Sequence, residues 1–90
     1  MPHHDGPVVD QIAKRLARLS GHAASLKRFW EEGRECEEML TQISAVRSAL
    51  DEVGKLVLNH HIERCVVEAI KEGDAEKSIK ELKKALDRLV

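Results

Sequence analysis

Apolar residues recur at helical spacing along almost the whole chain. Ile12, Leu16, Leu19, Ala23, Leu26 and Trp30 follow one another in steps of four, three, four, three and four. That alternation holds them on one seam of a helix, as in a bundle. Pro7 suits the first position of such a helix and Gly33 the position just beyond its end. A first helix is therefore expected from Pro7 to about Gly33.

A second series, Cys36, Met39, Ile43, Val46, Leu50, Val53 and Val57, also steps by three and four and occupies one helix face. No proline interrupts the stretch from Glu35 to Ile70, and Gly73 is the stop signal. The spacing predicts a helix from about Glu35 to Lys71, long for a chain of this size. The first helix alone cannot cover so long a stripe, so a second subunit is expected to cover the rest. Gly54, inside this helix, either costs some helix stability or admits close packing. Asp74 is a good N-cap for a third helix whose stripe is Ile79, Leu82, Leu86 and Leu89. Such a helix is too short to persist alone and must dock.

Composition narrows the class. Charged residues make up 34% and aromatic residues 2%, a balance typical of helical bundles rather than β-sandwiches. Apolar content of 42% with clear periodicity argues against disorder. Ninety residues bound the chain to one small domain, read as 7–90 behind a flexible arm, 1–6. No apolar run approaches the about 20 residues that span a bilayer, and no signal-peptide core is present, so a cytoplasmic protein without a membrane partner is expected. Two cysteines in such a chain read as reduced thiols available to a metal, not as a disulfide framework. The net charge of -1 is unevenly spread. Between Pro7 and Arg28, Asp10 stands alone against Lys14, Arg15, Arg18, Lys27 and Arg28. Charges on a helix usually form a solvated face, but in an oligomer such stripes merge into a larger basic surface.

The candidate chemistry lies on the second helix. His61 and Cys65 are four residues apart and project from the same face. Cys36 is far from them: at about 1.5 Å per residue, the step to His61 is roughly 37 Å. A metal–ligand bond is about 2 Å. For the three to share a metal, Cys36 must come from an antiparallel neighbour, which predicts a dimer. Two thiolates and an imidazole form a soft set suited to Cu(I), and a fourth ligand would suit Ni(II) or Zn(II). Taken singly, each cysteine reads as a buried apolar residue and His61 as a polar surface residue. His60 sits about 100° round the helix from His61. No Ser/His/Asp set, phosphate loop or dense acid pair speaks for an enzyme.

Cys36, the block T-Q-I-S-A-V-R-S-A-L-D from Thr41 to Asp51, and H-x-x-x-C from His61 to Cys65 together resemble the CsoR/RcnR family of metal-sensing bacterial repressors. The likeness covers nearly the whole chain. It implies an all-α fold of three helices per chain. Helices 1 and 2 of a dimer would form an antiparallel four-helix bundle with helix 3 outside, and dimers would pair into a tetramer. It implies a repressor that grips operator DNA when metal-free and lets go on binding metal, releasing an efflux or resistance gene. Cys36, His61 and Cys65 would be the ligands, selected over His60 by the family register. Cu(I) is favoured because that set is complete without the arm. His4 falls where some nickel and cobalt sensors take an extra ligand, so an Ni(II) sensor is the alternative. Glu81 corresponds to a glutamate that supports the metal from behind its ligands, or else pairs with Lys77 or Lys84 on the surface. Glu35 replaces the tyrosine that copper sensors often carry there. Arg15, with Arg18, Lys14 and Arg28, would contact the DNA backbone. A persulfide- or formaldehyde-sensing relative is disfavoured by His61 and Cys65 respectively. A metal carrier without DNA binding is the reading from another class.

Overall fold

The computed structural model describes residues 6–89; His3 and His4 lie outside them. All regular structure among the described residues is helical: α1 spans Pro7–Glu31, α2 Cys36–Glu72 and α3 Ala75–Leu89. These bounds fall within one or two residues of the expected ones, because the punctuation acts as the sequence suggests. Pro7 opens α1 behind Gly6, whose carbonyl accepts from Asp10 N–H. At the other end, Gly33 takes a left-handed φ of 78°. Gly33 N–H then bonds Trp30 O, and Arg34 N–H bonds Phe29 O, both at 3.1 Å. This pair of reversed bonds satisfies carbonyls that the helix end would leave open. Gly73, with φ 69°, closes α2 through one bond to Ala69 O at 2.9 Å. Asp74 caps α3, its Oδ1 accepting from Lys77 N–H at 3.1 Å.

The chain divides into two compact units, one ending at Val53 and the other beginning at Gly54. In the first, α1 and the start of α2 form a hairpin with Leu19, Met39 and Val53 buried. His22 Nε2 and Gln42 Oε1 join its two helices by a hydrogen bond of 2.8 Å. In the second, α3 lies against the end of α2, with Cys65 and Ser78 buried. Gly54 admits close packing there: a Cβ would stand 2.9 Å from the Leu89 δ-methyl.

Much of the expected seam is bare in the single chain. Leu16, Ile43, Leu50 and Val57 are exposed, and Trp30 is 69% exposed. Over its full length α2 favours no single apolar direction. The reason lies in its periodicity: a seven-residue repeat drifts about 20° per heptad on a straight helix. Leu40, Val66, Val67 and Ile70 add apolar surface off the first stripe. A helix apolar on several sides needs several neighbours. No described helix is long and apolar enough to cross a membrane.

Candidate metal centre

His61 and Cys65 meet as the four-residue spacing requires: Cys65 Sγ lies 3.6 Å from His61 Nε2. Cys65 is 5% exposed, and His61 is half-buried. Burial pushes the Cys65 thiol up, and the Glu81 and Glu68 carboxylates push it further, while Arg64 works the other way. Glu81 stands on α3, and its charge acts on this thiol. It also lines a groove on α3 with Lys77, Lys80 and Lys84, so its surface role is open to it as well.

Cys36 opens α2 as an exposed free thiol, and no disulfide joins it to Cys65. Among the described residues no three His, Cys, Asp or Glu side chains converge as a metal site. The chain thus brings His61 and Cys65 together and does not bring Cys36 to them. His60 stands apart from the pair, with its Nε2 buried and no hydrogen-bond partner among the described residues. Glu35 precedes α2, its carbonyl accepting from Met39 N–H at 3.0 Å. The donor chemistry fits a soft ion: a thiol and an imidazole already face each other, and the thiol is shielded from water.

Lys14, Arg15 and Arg18 are exposed on α1, and no ion pair holds them among the described residues. Arg28 differs. It lies 3.9 Å from Glu32 and 5.2 Å from the Phe29 ring centroid, so its charge is partly engaged at the helix end. One residue the sequence reading passed over is Arg34, whose guanidinium stacks 3.8 Å from the same ring centroid and bonds Glu38. The only signal for it was its four-residue spacing to Glu38.

A family model for metal-sensitive transcriptional repressors matches residues 9–88. The chain belongs to that family. Its members are repressors, not enzymes. The copper-sensing repressor CsoR of Bacillus subtilis is 40% identical over 80 residues, 89% of this chain and 79% of that protein. The copper-sensing repressor RicR of Mycobacterium tuberculosis is 42% identical over 83 residues, 90% of this chain and 86% of that one. Among solved structures, the nickel-responsive regulator InrS matches with a TM-score of 0.85 at 38% identity, over 100% of this chain and 99% of that one. Copper-sensing CsoR with Cu(I) from Geobacillus thermodenitrificans matches with a TM-score of 0.85 at 35% identity, over 98% and 92%. The CsoR resemblance of the sequence and its all-α class therefore stand.

Proposed function

We propose that this chain is a cytoplasmic metal-responsive repressor that holds operator DNA when metal-free and releases it on binding Cu(I). The observation that carries the reading is the 3.6 Å contact between His61 Nε2 and the buried Cys65 Sγ, a thiol on which the Glu81 charge acts. Cys36 of another subunit would complete two thiolates and one imidazole, the soft set that Cu(I) prefers. When bound, the ion would supply a cross-link between subunits. His61 and Cys65 would anchor one side of it and Cys36 the other, with Glu81 acting on the pair from behind. The bare residues Leu16, Ile43, Leu50 and Val57 support assembly, since large apolar side chains left to water in this number mark a protein interface. A dimer built as an antiparallel four-helix bundle, paired into a tetramer, would cover them.

Arg15, Arg18 and Lys14 would contact phosphates, with Arg28 contributing less because Glu32 engages it. Such contacts make affinity fall steeply with salt. Metal and DNA would oppose each other by linkage, each weakening the other by the same factor, with a coupling of about 1–3 kcal/mol. A nickel reading is favoured by one observation, the match to InrS. It would recruit His4 as a further ligand.

The test is an anaerobic titration of the reduced protein with Cu(I) and Ni(II) in parallel, on wild type and His4→Ala, followed by an operator mobility shift. One tight Cu(I) per subunit, unchanged in the variant and releasing DNA, supports the copper sensor. Tight Ni(II) binding that collapses in the variant moves the protein to the nickel class. Metal binding with no shift of operator DNA would make it a carrier. Neither metal binding would refute the site and return attention to thiol chemistry at Cys36.

A further inference from the structure

The corner between α1 and α2, residues 32–35, is tied together by one side chain. The Arg34 guanidinium lies 3.8 Å from the Phe29 ring centroid. Its Nη1 donates to Glu38 Oε1 at 2.6 Å, and its Nε lies 3.7 Å from Glu32 Oε1. Its backbone N–H bonds Phe29 O at 3.1 Å. Phe29 belongs to the last turns of α1 and Glu38 to the first turn of α2, so a single guanidinium joins the end of one helix to the start of the next. An exposed ion pair alone contributes little. A planar fork seated on an aromatic face and shared by two carboxylates is a different arrangement, which a lysine cannot reproduce.

Cys36 is the first residue of α2 and stands between Arg34 and Glu38 in sequence. The first turn of a helix has N–H groups without intrahelical partners and is its loosest part. A thiol at that place would sample many positions unless its corner were fixed. We infer that Arg34 is a positioning residue for Cys36: by clamping Phe29, Glu32 and Glu38 it fixes the corner from which the Cys36 thiol is presented to a soft metal ion. The inference rests on the reading of Cys36 as a ligand. Arg34 acts through the backbone and does not touch the metal. Its effect is to lower the ordering that binding would otherwise require, which is how supporting groups raise affinity.

Cu(I) affinity of the full chain, measured anaerobically against a chromophoric chelator, tests this on wild type, Arg34→Ala, Arg34→Lys, Phe29→Leu, Cys36→Ala and the Arg34→Ala/Cys36→Ala double variant. Removing a group that orients a ligand typically weakens metal binding about tenfold or more. Arg34→Ala and Phe29→Leu are expected to weaken Cu(I) by about tenfold. Arg34→Lys, which keeps the charge but not the fork, should restore little of it. In the Cys36→Ala background, Arg34→Ala should change affinity no further. Without metal, amide hydrogen exchange of residues 32–38 should speed up in Arg34→Ala while that of residues 54–72 stays as in wild type. An equal loss with and without Cys36, or full rescue by lysine, would overturn the positioning role. If Cys36→Ala bound Cu(I) as tightly as wild type, the ligand reading would fall first and this one with it.

Discussion

Asp74→Ala tests the link from a helix cap to the chemistry of a thiol. Asp74 Oδ1 accepts the Lys77 N–H at 3.1 Å, the side-chain bond at the start of α3. With 15 residues, α3 has little stability of its own and depends on its cap and its docking. Losing such a cap costs about 1 kcal/mol, which is about a fivefold rise in the population of undocked α3. That helix brings Glu81, whose carboxylate acts on the Cys65 thiol, and its unit buries Cys65 to 5% exposure. The metal-free variant should therefore lose midpoint in urea, and Cys65 should be alkylated about fivefold faster where reclosing outpaces the reaction. Cys36, exposed and in the other unit, serves as the internal reference and should react at its wild-type rate. Asp74→Asn keeps an oxygen acceptor and should behave like wild type. A lowered midpoint with unchanged Cys65 reactivity would refute the reasoning, because it would mean that α3 does not guard this thiol.

Other outcomes follow from the same structure. At the proposed site metal binding would displace the Cys65 proton, which burial and the Glu81 and Glu68 charges hold more tightly than in an ordinary thiol. Cu(I) affinity should therefore rise by about one decade per pH unit for each thiol proton displaced and keep rising past the range of a free cysteine; a plateau near neutrality would count against Cys65. For the metal-free fold the sign is opposite: the raised thiol stabilises below its unfolded value, and that contribution is lost as pH rises through the folded one, visible as a falling urea midpoint in alkali. Arg15→Ala should weaken operator binding and reduce the salt slope by about 0.9 for each phosphate it ceases to neutralise, read by anisotropy at several salt concentrations; an unchanged slope would remove Arg15 from the interface. Gly33→Ala meets no atom within 4 Å but puts a Cβ on a left-handed residue, a cost of about 1–2 kcal/mol in urea unfolding. Gly33→Asn should lose less, and a neutral alanine would show that the corner adopts another conformation.

Element boundaries were legible because they rest on local chemistry. Pro7, Gly33, Gly73 and Asp74 act within a turn or two of where they stand, and each does what its covalent structure dictates. The meeting of His61 and Cys65 was legible for the same reason, since helix geometry alone places residues four apart side by side. The action of the Glu81 charge on Cys65 depends on how α3 docks, which periodicity does not give. Arg34 is not legible in the sequence because it engages three partners at once, and only Glu38, on its own side of the turn, stands at a helical spacing from it. Gly54 reads from sequence as either a helix cost or a packing gain, and the Leu89 side chain beside it decides for packing.

That last pair has an evolutionary reading. Gly54 and Leu89 divide a single volume, since a methyl group on one would press to 2.9 Å from the other. Neither position is free to drift alone. In related chains a larger residue at the first should travel with a smaller one at the second, leaving the combined bulk nearly constant. The two sites would then vary as one character, although about half of α2 and nearly all of α3 lie between them.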